Sequence, residues 1–537
     1  MIDRHSKKFG IWLGLVLVPW LMASSLDGRT AHTTEGTHDD ASSLALLTAY
    51  LQRAALHAEA LEGRIPNVFQ LYECELDIAR LYAAYVDREA ASAHLSRALD
   101  IAGDFLWLRD RIEAYADIAL LYAEISDEPA ARRTVQQAFK LVADSDESDP
   151  SSMYGPLVRM QAQAGWIEEA LDTYERMTDQ HEASVVAMDI AVAKVQTGRF
   201  DDAVAMARAT GGSPAVLRVM LEQVRDPQFD LTPDFVEQIA RIESFEIWCS
   251  FAVVRAKLGD DEGATVAFER ARSLADQMKD TSGRAAALKR IVMEHLRAGM
   301  LDAAAGTAEA VPLRHQRAVA FAAVAEAMAR DGHDDAPVAL DEALRIARDN
   351  AQEPPARRAA LWIAVAGAQA ALGQLHDASE STEAARDAVR TVDEEPTRGD
   401  LLASIGISYA RLGSDDQALA MAAVAQRNMR TLTIDQQQRR RDLVQSIPLA
   451  AVERGSPEAA FDIADRMGPQ FDRALAYRRI AAHQATYANS RDIEQRIEAV
   501  ERRFIAMSAW LGLAEGVAER ICARREQTSK LVPSAKP

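Results

Sequence analysis

The sequence predicts an all-α protein, an α-α superhelical solenoid of about twelve helical hairpins. Composition is the first observation: of 537 residues, 48% are hydrophobic, only 6% are aromatic and 26% are charged, which is typical of amphipathic helices rather than of sheets. The second is a helical periodicity broken by short stretches rich in Gly, Asp or Pro. The third is that this pattern returns along the chain, as in repeat architectures.

Residues 1–25 have the features of a signal peptide or an N-terminal membrane anchor. A basic start, residues 1–9, precedes an apolar stretch at 11–22. This stretch is shorter than the roughly 20 residues that a transmembrane helix needs. We therefore expect an exported protein, periplasmic or secreted, with an uncleaved anchor as the alternative. Residues 26–43 are polar and are expected to form a flexible linker.

Two recurring signals define the repeat unit. An Asp-Ile-Ala sequence at Asp77 returns at Asp117. A glycine followed five residues later by alanine occurs at Gly165, Gly198, Gly259, Gly299, Gly373, Gly413 and Gly455. We expect this glycine to end helix A of a hairpin in the left-handed conformation, while the alanine lets helix B approach helix A closely.

An apolar residue precedes nearly every turn by eight positions and is the predicted core contact of helix A. Because one hairpin cannot bury this stripe alone, the units are expected to stack. The core positions are Ile78, Ile118, Leu157, Ile190, Phe251, Ile291, Val324, Val365, Ile405 and Ile447.

Acidic pairs follow several of the turns. Because they recur at the start of helix B, where carboxylates cap free amides and oppose the helix dipole, capping explains them better than catalysis. We find no nucleophile, phosphate-loop or metal-ligand motif, and we predict no catalytic residue, no metal site and no cofactor. The clearest pairs are Glu168-Glu169, Asp201-Asp202, Asp260-Asp261 and Asp415-Asp416.

The unit resembles the tetratricopeptide repeat. That family places an aliphatic residue at position seven, a small residue at eight, Tyr at eleven, Gly at fifteen and Ala at twenty and twenty-seven. Ile78, Ala79, Tyr82 and Ala98 match it in one unit. The likeness extends over most of the chain, but turn-to-turn spacing is irregular, and the early Trp and closing Pro are mostly missing. The resemblance implies a scaffold that binds proteins or peptides.

The repeat array is predicted to occupy residues 44–526, with its first and last helices as caps. A degenerate stretch at 226–234 contains two prolines and predicts a bend between two halves. The polar residues 527–537 are expected to form a disordered tail.

Arginines stand at the start of several A helices, fifteen residues before the turn, where the helix dipole disfavours a cation. The structural interpretation is a bridge to an acid of the preceding helix B or its loop. The functional alternative is a ladder that grips carboxylates of a partner. The candidate partner-binding residues are Arg284, Arg317, Arg358, Arg398 and Arg440, and Arg111 shares their position.

These observations favour a non-catalytic protein-protein interaction scaffold. A net charge of -20 argues against nucleic acid as a partner. The alternative is an α-helical enzyme or binding protein that acts on an envelope glycan; it would need helix pairs that return on themselves and inward carboxylates at unlike repeat positions. A purely structural spacer is a third option, which the sequence does not separate from the first.

Overall fold

The computed structural model describes residues 39–61, 68–145, 150–210, 244–257, 259–349, 352–427, 429–468, 470–487 and 491–531. Within these ranges every regular element is a helix and there is no strand, which confirms the all-α prediction. None of the helices in this part of the chain combines the length and apolar content of a membrane span. The predicted targeting segment and the predicted bend lie outside the described residues.

The described residues divide into two compact units. The joined-end unit combines residues 31–197 with 455–537, and the middle unit comprises 198–454. The first part of the joined-end unit contains α1 (Asp39–Glu59), α2 (Val68–Leu81), α3 (Arg88–Gly103), α4 (Leu108–Glu124), α5 (Glu128–Ala143), α6 (Ser151–Gln163), α7 (Ile167–Tyr174) and α8 (Gln180–Gln196). A π-helical turn, Tyr82–Val86, follows α2.

After a helical segment at 200–210, the middle unit continues with α9 (Phe245–Lys257), α10 (Asp261–Asp276), α11 (Thr281–Arg297), α12 (Leu301–Glu309), α13 (Arg314–Arg330), α14 (Ala336–Arg348), α15 (Pro355–Ala371), α16 (Leu375–Val389), α17 (Glu395–Arg411), α18 (Asp415–Ala425) and α19 (Ile434–Glu453). The chain then returns to the joined-end unit with α20 (Pro457–Arg466), α21 (Gln470–Tyr487), α22 (Arg491–Glu498) and α23 (Arg503–Leu531).

Left-handed residues end the A helices, as predicted. Positive φ lets the last carbonyls of helix A be satisfied within a tight turn, at no steric cost to glycine. Ser126 takes this conformation in the turn after α4, with φ of 64°. The glycines with positive φ are Gly165, Gly198, Gly259, Gly299, Gly332, Gly373, Gly413 and Gly455, which include every glycine that the repeat pattern singles out.

The predicted core position of each A helix is buried. Ile78, Ile118 and Val365 are 0% exposed, and none of the ten predicted residues exceeds 1%. Alanines such as Ala98 and Ala138, at 0%, bring the B helices close to them. The helical hairpins therefore stack through the stripe that the sequence pattern identifies.

The caps of the B helices follow the prediction in part. Oδ1 of Asp260 accepts a hydrogen bond from the Gly263 backbone N–H at 2.9 Å, and Oδ1 of Asp127 accepts one from Ala130 at 3.1 Å. Asp415, in contrast, lies in the first turn of α18, where it opposes the helix dipole without capping it.

The first and last described helices pack together within the joined-end unit. α1 contacts α23, and α23 lies closely against α21. A Cβ at Gly512 or Gly516 would overlap the α21 backbone, so these glycines set the close approach of α21 and α23. The Tyr50 hydroxyl donates to Glu494, and the Arg53 guanidinium lies 4.5 Å from the Trp510 ring centre.

Both terminal helices are longer than predicted. α1 begins at Asp39, within the segment predicted as linker. α23 runs to Leu531, past the predicted start of the tail at residue 527, and Pro533 follows it in the sequence. A helix readily extends until the residue before a proline.

Replacing Gly373 by Ala is expected to lower the free energy of unfolding by about 1 kcal/mol, because φ of 76° disfavours any Cβ. Nothing lies within 4 Å of that Cβ, so the loss comes from the backbone alone. Gly306→Ala is the matched control: Gly306 lies inside α12, and its Cβ also meets open space. This control is expected to stabilise the protein by roughly 0.5–1 kcal/mol. Urea unfolding measures both; equal effects would contradict the left-handed cap.

Replacing Gly516 by Ala is expected to destabilise the joined-end unit by about 2–4 kcal/mol, because the new methyl group overlaps the Ala482 carbonyl. Thermal unfolding with Gly306→Ala as control measures this loss. An unchanged melting temperature would show that α21 and α23 do not depend on glycine for their approach.

Candidate partner-binding face

A row of charged side chains crosses successive A helices of the joined-end unit. Asp77 of α2, Asp117 of α4 and Asp189 of α8 each directly precede a buried isoleucine, and Arg159 of α6 lies two residues after buried Leu157. Because successive helical residues are about 100° apart, these side chains lie at the margin of the core. All four are part-buried. We call Asp77, Arg80, Asp117, Arg159 and Asp189 the charged row.

One end of the charged row is joined to the C-terminal helices. Nη2 of Arg478, on α21, donates to Oδ2 of Asp77 at 2.8 Å, and its Nε donates to Oε1 of Glu515, on α23, at 3.0 Å. Asp77 also accepts from Nη1 of Arg80 at 3.1 Å. This part of the row therefore ties the first repeat to the last helices through charge-assisted hydrogen bonds.

The other end of the row is paired in the same way. Nε of Arg159 donates to Oδ2 of Asp189 at 3.2 Å. Beside the row, Arg109 of α4 lies 3.5 Å from Glu113 and 3.3 Å from Glu182 of α8. A Cβ at Gly155 would lie 2.9 Å from Oε1 of Glu182, so this glycine of α6 leaves room for the ion pair.

Asp117 is the exception in the row. Solvent does not reach its Oδ2, and this atom accepts no hydrogen bond from any described residue. Burial raises the pKa of Asp117 to about 7; Arg80 and Arg159 lower it, whereas Glu113 raises it. Burial likewise raises the pKa of Glu73 to about 7, and the negative charge of Asp77 adds to this rise. Desolvation is therefore the largest contribution to the pKa shift of both carboxyl groups.

The structure corrects one of the predicted partner-binding arginines. Arg440 is 0% exposed, so it cannot contact a partner. Its guanidinium donates to the carbonyls of Ala425 at 3.3 Å and Pro396 at 2.6 Å, and its Nε donates to Asp400 at 3.1 Å. The burial is possible because Gly399 has no Cβ, which would overlap the guanidinium. Arg440 therefore links its hairpin to the preceding one.

The other arginines of that position are part-buried rather than projecting. Nε of Arg317 donates to the carbonyl of Val311, just beyond α12, at 2.9 Å. Such a bond satisfies a carbonyl near the negative end of a helix dipole and offsets the unfavourable place of the cation. Arg398 pairs with Glu395 of its own helix at 2.6 Å. Arg358 has a solvent-shielded Nε without a described acceptor, and Arg284 lies at the start of α11.

Sequence reasoning missed the charged row, although the signal was present. The Asp-Ile-Ala repeat serves as evidence for the hairpin unit, but its aspartate was given no role. The same three residues also occur at Asp189. An acid directly before the core position in three A helices is the pattern that could have located the row.

The described residues contain no group of three or more His, Cys, Asp or Glu side chains placed to hold a metal ion. The charged row contains carboxylate acceptors and guanidinium donors, and Glu73 and Glu113 add two carboxyl groups near Asp117.

No protein-family model matches the sequence, and no curated protein matches it either. Three solved structures are similar in helical architecture. Ton1535 from Thermococcus onnurineus NA1 is 15% identical, over 76% of this chain and 99% of that one, with a TM-score of 0.21. The APC/C hetero-tetramer Cut9-Hcn1 is 14% identical, over 82% and 87%, with a TM-score of 0.25. Yeast Tom70 is 13% identical, over 79% and 99%, with a TM-score of 0.26. The tetratricopeptide-like assignment therefore rests on the helical hairpins and left-handed turns of this chain.

Replacing Asp117 by Asn is expected to stabilise the protein by about 2 kcal/mol near pH 8 and to have little effect near pH 4. The folded-state pKa of about 7 lies above the ordinary value of 3.8, so the folded state binds more protons than the unfolded state between these values. The free energy of unfolding contributed by this group is therefore lost as the pH rises through that window.

Urea unfolding of wild type and variant at both pH values measures this gain. Glu269→Gln, which removes an exposed carboxyl group of α10, is the control and should show no pH-dependent gain. A variant less stable than the wild type near pH 8 would contradict the raised pKa.

Proposed function

We propose that this protein is a non-catalytic protein-protein interaction scaffold and that the charged row is part of its partner-binding face. The observation that carries this proposal is the recurrence of part-buried charges on neighbouring A helices. Stacked hairpins present such positions as one continuous surface, which suits an extended partner. Charges arranged in this way favour one partner over another and speed its association.

The repeat position of the carboxyl groups favours a scaffold over an enzyme. Two carboxyl groups of the face, Glu73 and Asp117, have a pKa of about 7, which would suit a general acid in glycan hydrolysis. The first and last described helices also pack together in the joined-end unit. However, Asp77 and Asp117 occupy the same repeat position, and so do Glu73 and Glu113. A catalytic pair would need carboxyl groups with unlike surroundings and roles.

We also propose that residues 1–25 direct export, so that the scaffold works in the periplasm or outside the cell. The basic start and the apolar stretch support this proposal. N-terminal sequencing of the mature chain tests it: a chain that starts near residue 26 agrees with cleavage, and a chain that starts at Met1 in a soluble fraction contradicts export.

Affinity capture with cross-linking mass spectrometry tests the scaffold. Tagged full-length protein is compared with a Glu113→Gln/Asp117→Asn double variant and with an Asp261→Asn/Glu269→Gln control, which makes the same charge change on α10. We expect a partner that cross-links to α2, α4, α6 or α8 and whose recovery falls at least about tenfold only in the row variant. Equal recovery from both variants would contradict the proposed face. Hydrolysis of an envelope glycan, abolished by the row variant, would favour the enzyme instead.

A further inference from the structure

We propose that the charged row takes up a cationic side chain, lysine or arginine, from an extended segment of the partner, and that this cation lies against the carboxyl group of Asp117. The inference rests on the proposed function and specifies the chemistry of the partner.

The pairing within the row leaves one place for a cation. Arg80 and Arg478 both donate hydrogen bonds to Asp77, and Arg159 donates one to Asp189. Asp117 lies on the helix between these two sets, and its Oδ2 has no described donor. Asp117 therefore stands between two arginines, Arg80 and Arg159, that donate to other carboxylates, and its own Oδ2 is left without a described donor.

The groups around Asp117 make this place acidic. α2 contributes Glu73 and Arg80, α4 contributes Glu113, and α6 contributes Arg159. Both arginines already have carboxylate partners and Glu113 lies 3.5 Å from Arg109, so Glu73 and Asp117 are the carboxyl groups here that no described arginine pairs with. The phenol of Tyr72, also near Asp117, donates to the carbonyl of Ala114 at 3.2 Å and is engaged there.

A side chain of a peptide suits this place better than a metal ion. The described residues offer no cluster of three metal ligands here. A lysine or arginine instead carries its charge on a long apolar stem, which can follow the part-buried margin of the A helices while the backbone stays at the surface. A guanidinium would also donate to the Asp117 carboxylate at the part of this side chain that is exposed.

Binding of a cation is coupled to proton release. The pKa of Asp117 and that of Glu73 are about 7 in the free protein. A neighbouring cation favours the ionised carboxylates, so association drives protons off and strengthens as the pH rises from about 6 to 8. The other titratable or charged groups that face this place are Glu113, Arg80, Arg159, Arg478, Asp77 and Tyr72.

Calorimetric titration of the full-length protein with a capped octapeptide that alternates arginine and glycine tests the proposal. The same peptide with glutamine in place of arginine is the neutral probe. We expect binding of the arginine peptide only, with proton release detected in buffers of different ionisation enthalpy. Asp117→Asn should weaken binding about tenfold and reduce the proton release, and Glu73→Gln should act in the same direction. Glu269→Gln should bind like the wild type.

Equal affinity of Asp117→Asn and Glu269→Gln, or equal binding of the neutral probe, would overturn the inference. Spermine that binds as tightly as the arginine peptide, with the same dependence on Asp117, would overturn the peptide as ligand. If the captured partner depends on the row while the arginine peptide does not depend on Asp117, this inference fails and the proposed function stands. If recovery of the partner is independent of the row, the proposed function itself fails.

Discussion

Each helical hairpin in the described part of the chain has an apolar stripe, and a neighbouring hairpin or a terminal helix covers it. The fully buried core positions, such as Ile78 and Val365, show how completely this cover is achieved. The left-handed turns serve the same constraint, since they direct helix B back along helix A at a distance that the alanines permit. In the joined-end unit α1 and α23, the first and last described helices, pack against each other and so cover each other's apolar faces.

The stacking of hairpins also explains why charged side chains lie where two hairpins meet. Where α19 packs on the preceding hairpin, Arg440 satisfies two backbone carbonyls and the carboxylate of Asp400 at once. Burial of that guanidinium is stable because its hydrogen bonds are made within the protein. Asp117 also lies at the margin of the core, but its Oδ2 accepts no hydrogen bond from a described residue. The acids on either side of it in the row, Asp77 and Asp189, are both paired with arginines.

The sequence is sufficient to predict features that depend on near neighbours. The turn at Gly373 and the core position at Ile118 follow from local spacing, and the structure confirms both. The complete burial of Arg440 was not predictable, because its hydrogen-bond acceptors lie 15 to 45 residues away and the space for its guanidinium depends on Gly399. The raised pKa of Asp117 likewise depends on side chains of α2 and α6, whose register against α4 no local pattern specifies. A repeat pattern predicts contacts between consecutive hairpins only, so it could not predict the contact of α1 with α23.

The hydrogen bond from Tyr50 to Glu494 joins residues 444 positions apart, and this separation matters while the chain is being made. At the usual rates of synthesis, α1 leaves the ribosome about 20 to 90 seconds before its C-terminal partners exist. The middle unit is complete by residue 454 and has time to fold in that interval. The face of α1 that contacts α23 can therefore be covered only after translation has reached the last helices.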